Sequence, residues 1–117
     1  MGYFLDANSF YGNKDYETAI SFYEKAIKTK DNEPYAYYNL GVCYIKLQEY
    51  DKAIEMIKKT LCLNLDAKYF FNLAYCYSMK EDNPKALRYF NMAWALDNED
   101  KDCEKAIDLI TQALKKK

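Results

Sequence analysis

The phrase "NLGVCYIKLQEYDKAI" (residues 39–54) is echoed downstream as "NLAYCYSMKEDNPKAL" (72–87) and upstream, in blurred form, as "NSFYGNKDYETAI" (8–20). Aligning Ala19, Ala53 and Ala86 gives spacings of 34 and 33 residues. Each alanine is followed by Ile20, Ile54 or Leu87, and Tyr16, Tyr50 and Asn83 stand three residues before them. Nine residues upstream are Phe10, Tyr44 and Tyr77, and three residues further back Ala7, Gly41 and Ala74. A period in this range marks a stacked array, whose units cannot bury their apolar faces singly but can do so against neighbours.

Within a unit the pattern is helical. Tyr37, Leu40, Gly41, Tyr44 and Leu47 recur at three- and four-residue steps, and Ala53, Ile54, Ile57 and Leu61 form a second run. The short polar stretches "QEYD" and "EDNP" read as the turns between them. Asn83 is expected to cap a helix with Pro84 at its first position; Pro34 opens a helix in the same way, and Asp66 can cap another. Two antiparallel helices approach to 8–10 Å only where side chains are small. Gly41 and Ala74 fit that crossing from the first helix, and Ala19, Ala53 and Ala86 from the second. No strand pattern occurs.

The final segment "KDCEKAIDLITQALKKK" has an apolar stripe of Cys103, Ala106, Ile107, Ile110 and Leu114 and a wet face of Glu104, Lys105, Asp108 and Gln112. It reads as a capping helix over 102–116, with Trp94 packing under it. The acidic turns "EDN" (81–83) and "DNEDKD" (97–102) read as helix caps; the second lacks the acidic spacing and glycine of a calcium loop.

Composition narrows the function classes. A chain of 117 residues suits one domain, and half of it is hydrophobic. With 17 basic and 18 acidic residues it offers no broad basic field for nucleic acid or anionic membrane. No apolar run is long enough to span a bilayer. Histidine is absent, which removes the commonest general base and the Ser/His and Cys/His nucleophile pairs. Cys43, Cys62, Cys76 and Cys103 match no zinc spacing and read as four reduced thiols packed in a core, in a cytoplasmic protein. No metal or cofactor is expected.

The period, the small–aromatic–alanine pattern and the phrase over 39–54 together resemble the tetratricopeptide repeat (TPR) family. The resemblance covers residues 1 to about 100 as three units (1–33, 34–66, 67–100), followed by the capping helix (101–117). Tyr3, Tyr37 and Phe70 replace the family's early tryptophan. Its late alanine is kept as Ala26 and Ala93 but is Thr60 in the second unit. Asp31, Leu65 and Asn98 stand where its boundary proline would be. The resemblance implies an all-α fold, an α-solenoid of about seven helices wound as a right-handed superhelix with a concave groove lined by each unit's first helix.

By helical phase, that groove would receive Phe4, Leu5, Asn8, Tyr11 and Gly12 from the first unit. The second would add Tyr35, Tyr38, Asn39, Val42, Ile45 and Lys46, and the third Lys68, Phe71, Asn72, Tyr75 and Met79. Asparagine amides can both donate to and accept from a peptide backbone. Aromatics supply rigid apolar contact. Chaperone-binding members of the family hold a terminal carboxylate with Lys, Asn, Asn, Lys and Arg. Asn8, Asn39 and Lys68 match, but Phe4 and Asn72 replace two cations, and losing two charge-assisted donors weakens such capture. The expectation is a non-enzymatic scaffold binding an extended peptide or short helix. The alternative is self-association into a homo-oligomer through an uncapped first unit, since the chain begins inside its first helix.

Overall fold

The computed structural model describes residues 2–116. Its described secondary structure is entirely helical: α1 (Tyr3–Gly12), α2 (Tyr16–Lys28), α3 (Glu33–Lys46), α4 (Tyr50–Leu63), α5 (Ala67–Met79), α6 (Asn83–Leu96) and α7 (Lys101–Lys115). The chain falls into two compact lobes, Met1–Asn64 and Leu65–Lys117. The first holds α1 to α4, and the second holds α5 to α7.

All three hairpins close in the same way. Lys14, Gln48 and Glu81 sit five residues before the repeat alanines and are left-handed, with φ of 63°, 61° and 63°. In each turn the left-handed residue and its successor donate back to the end of the first helix. Thus Lys14 N–H reaches the Tyr11 carbonyl at 2.9 Å and Asp15 N–H the Phe10 carbonyl at 2.9 Å. Gln48 with Glu49, and Glu81 with Asp82, repeat these bonds at 2.8–2.9 Å. This Schellman closure satisfies carbonyls that a helix end leaves open, and glycine is its usual residue. Here side-chain-bearing residues occupy all three positions.

The turns are shorter than the polar phrases suggest. Tyr50 and Asp51 already belong to α4, and Asn83 and Pro84 to α6. Asp82, not Asn83, caps α6, its carboxylate accepting from Lys85 N–H at 3.3 Å, so Pro84 takes the second helical position. Pro34 likewise follows Glu33, behind a left-handed Asn32. Either place is free for proline, because the first turn's N–H groups have no helical acceptor. Asp66 caps α5 by accepting from Lys68 N–H at 2.9 Å, as its position implies. Asp100 caps α7 through the N–H groups of Asp102 and Cys103.

In the first lobe Ala7, Ala19, Tyr23, Ala26, Ala36, Leu40 and Cys43 form the buried core. Gly41 is needed there. A Cβ on it would stand 2.9 Å from Ile57 Cγ1, on a side chain with no exposed surface and hence little room to retreat. Thr60, also fully buried, donates its hydroxyl to the Met56 carbonyl at 3.2 Å, which removes the cost of a polar group at an alanine position. Asp31 has a further role. Its carboxylate accepts from Phe4 N–H at 3.1 Å, capping α1, whose own N-cap Gly2 has no side chain to do so. The first helix thus starts at Tyr3, after an extended Gly2, rather than running in from the chain start.

In the second lobe Leu73, Ala74, Cys76, Ala86 and Ala93 are buried where α5 meets α6. Much of the aromatic excess is spent between paired helices. Tyr89 stacks with both Tyr77 (5.5 Å) and Phe70 (6.3 Å), as Phe10 stacks with Phe22 (5.2 Å) in the first lobe. Helix α7 buries Cys103 and Ile110, while Ala106, Ile107 and Leu114 are half-buried. The Cys103 thiol donates to the Phe90 carbonyl at 3.2 Å, tying α7 to α6. Trp94 is half-buried. Three of the four thiols lie in the core, but Cys62 is exposed on α4, because the helical phase that buries Ile57 and Thr60 turns Cys62 outward.

Candidate ligand face

The expected residues lie on the first helix of each pair. In the first lobe Tyr35 and Lys46 are exposed, and Asn8, Tyr11, Tyr38, Asn39 and Val42 are half-buried. In the second, Lys68 and Tyr75 are exposed, and Phe71 and Asn72 half-buried. The small residues of the same helices, Ala7, Gly41 and Ala74, are buried.

The asparagines differ in what holds them. Asn8 Oδ1 accepts from the Tyr23 hydroxyl at 2.5 Å and from Asn39 Nδ2 at 3.3 Å, joining α1, α2 and α3. The Asn39 amide also hydrogen-bonds toward the Tyr23 hydroxyl. Burial, then nearby Cys43, pushes the Tyr23 phenol up to about 12, while the Asn39 contact draws it back. In the second lobe Asn72 Nδ2 instead donates to the Lys68 carbonyl, one turn earlier on its own helix, at 3.1 Å.

The aromatics on the face lean on the helices beneath. Tyr11 meets Tyr16 edge-on at 5.5 Å, and burial raises its phenol. Phe71 meets Phe90 edge-on at 5.3 Å. Phe4, standing where a carboxylate clamp would place a lysine, packs its ring against Tyr23 at 5.9 Å. Of the aromatics expected on the ligand face, Tyr35 (49% exposed) and Tyr75 (37%) are the most open.

Tyr23 is absent from the residues expected on this face. Its sequence position assigns it to the second-helix core, and its ring is there, 1% exposed. Only the hydroxyl reaches the face. The available signal is that its register holds Ile57 and Phe90 in the other repeats, so a tyrosine brings in a polar group for which an apolar core has no use.

Among the described residues no group of three or more His, Cys, Asp or Glu side chains could hold a metal ion. Burial lifts the Cys43 and Cys76 thiols to about 12, far from the range of a reactive thiolate. No helix is long and apolar enough to cross a membrane among the described residues.

Comparison with known proteins agrees with the repeat. The family profile described as tetratricopeptide repeat matches residues 10–61. The chain carries tetratricopeptide repeats. The Hsp70-Hsp90 organising protein of Plasmodium falciparum is 32% identical over 88 residues, which is 75% of this chain and 15% of that relative. The chain therefore spans about a seventh of that relative's length. The solved first TPR of Spaghetti (RPAP3), bound to the HSP90 peptide SRMEEVD, superposes with a TM-score of 0.90 at 18% identity, covering 96% of this chain and 90% of that one. YrrB, described as a TPR protein with an unusual peptide-binding site, has a TM-score of 0.84 at 26% identity, covering 92% of this chain and 56% of that one. These likenesses agree with the seven-helix, all-α repeat.

Proposed function

We propose that this chain is a non-enzymatic interaction module that binds an extended peptide, with the α1/α3 face of the first lobe as its principal contact. The observation that carries this reading is the Asn8–Asn39 pair: two amides on adjacent helices, bonded to one another, half-exposed and flanked by open aromatic surface. Such amides hold backbone rather than a particular side chain. Tyr35, Tyr38 and Val42 supply apolar contact, and Lys46 favours an acidic neighbour. The α5 face, with Lys68, Phe71, Asn72 and Tyr75, is a second candidate contact. The peptide named in the Spaghetti structure supports a peptide as the ligand class.

Titration of isotope-labelled protein with SRMEEVD, as free acid and as C-terminal amide, tests this. Signals of α1 and α3 should shift, and Asn39→Ala should weaken binding about three- to tenfold with little change in Tm, as expected for one hydrogen-bonding side chain. Because Phe4 and Asn72 occupy two cationic positions of the carboxylate clamp, the acid and the amide should bind comparably. A strong preference for the free acid would replace backbone recognition with carboxylate capture. No shift at millimolar peptide would sink the ligand face itself.

A further inference from the structure

Of the residues expected on the α1/α3 face, Lys46 alone carries a charge. It is exposed, and among the described residues no carboxylate stands within ion-pair distance of it. Other lysines of the lobe are engaged. Lys52 pairs with Glu49 at 3.3 Å, Lys25 lies over the Phe22 ring at 4.8 Å and Lys59 over the Tyr37 ring at 5.7 Å. Packing does not call for a lysine at this register, which holds Gly12 in the first repeat and Met79 in the third. Tyr35, Asn39, Val42 and Lys46 follow one another at steps of four, three and four residues, so they share one stripe along α3. In axial order the stripe runs aromatic, amide, apolar, cation.

We propose that this stripe selects an acidic peptide: a carboxylate side chain at Lys46, about three residues along the ligand from the peptide group held at Asn39, with an apolar side chain on Val42 between them. The inference rests on the ligand-face reading above and adds the ligand's sequence class to it. The spacing follows from two rises. Seven residues of α-helix, at about 1.5 Å each, set Lys46 about 10 Å beyond Asn39. An extended strand covers that distance in about three residues, at about 3.3 Å each. Charge decides the class. A cation with no carboxylate of its own attracts an acidic side chain and repels a basic one, and no acid expected on this face opposes the match. Val42, half-buried, offers the apolar step between the two polar ones.

The peptide SRMEEVD, acetylated and amidated at its ends, and its variants SRMQEVD, SRMEQVD and SRMEEVN test this against the wild type and Lys46→Gln. Lys46 also offsets the dipole at the end of α3, so the measure of ligand contact is the coupling between the two changes rather than either alone. For one of the three variants the wild type should bind about two- to fivefold more weakly than it binds SRMEEVD, the worth of one exposed ion pair, and Lys46→Gln should show no such loss. The difference should shrink at high salt. Overhauser contacts from the Asn39 side-chain amide should fall on a peptide backbone group about three residues from that acid. The same change in the wild type and Lys46→Gln for all three variants, with α1 and α3 signals still shifting, would overturn acid recognition at Lys46. A coupled acid next to the group at Asn39 would overturn the spacing. No shift of either helix at millimolar SRMEEVD would sink the ligand-face reading, and the acidic motif with it.

Discussion

Asn39 and Asn72 hold the same register in adjacent repeats, 33 residues apart, and sit half-buried on the same kind of helix face. Asn39 is bonded across to α1 and toward Tyr23 of α2, and Asn72 donates to a carbonyl of its own helix. Register decides which way a side chain points. It does not decide the bond, which depends on what the neighbouring helices bring to the same spot. In the first lobe they bring an amide and a phenol, and both donate to Asn8 Oδ1.

The comparison can be broken most forcefully by Tyr23→Ala. Removing a fully buried ring should cost about 3–5 kcal/mol in chemical denaturation, and it should disorder Asn8 and Asn39 while leaving Asn72 unaffected. Gly41→Val comes next. With Ile57 Cγ1 2.9 Å from the added Cβ, overpacking should cost about 1–3 kcal/mol, whereas Gly12→Ala, which meets nothing within 4 Å, should be tolerated.

A smaller effect follows from pH. Burial raises the Cys43 and Cys76 thiols from 9.0 to about 12, and the Tyr23 phenol from 10.0 to about 12. The folded state then keeps protons that the unfolded chain releases. Stability should be intact below pH 9 and fall as pH climbs from 9 toward 12. Thermal melts across this range should show the decline, and Cys43→Ala with Cys76→Ala should flatten it.

Glu81→Gly should instead stabilise by about 0.5–1 kcal/mol, because it relieves a left-handed residue that bears a Cβ, and the same gain should appear for Gln48→Gly. Asn72→Ala removes the donor to the Lys68 carbonyl and should cost about 0.5–1.5 kcal/mol in chemical denaturation, the worth of one hydrogen bond.

Much of this molecule was legible in its sequence, for a specific reason. The periodic alanines and Gly41 are constrained by close helix approach, a requirement that recurs once per unit and so appears as repetition. The same phase leaves Asn8, Asn39 and Asn72 half-buried on the first helices of their pairs. Boundaries were less legible. "QEYD" and "EDNP" look like turns, yet half of each lies inside a helix, because a helix's first turn accepts polar residues and proline freely. Cys62 was misjudged because residue type alone does not give helical phase.

The sequence by itself determined the helix pairs and the small residues buried between them, since these depend on periodic local spacing. Only the tertiary structure decided that Tyr23 reaches through the core to fix Asn8, and that Asp31 caps a helix 27 residues away. Those bonds join side chains distant along the chain, and a hydrogen bond exists only where packing brings donor and acceptor within about 3 Å.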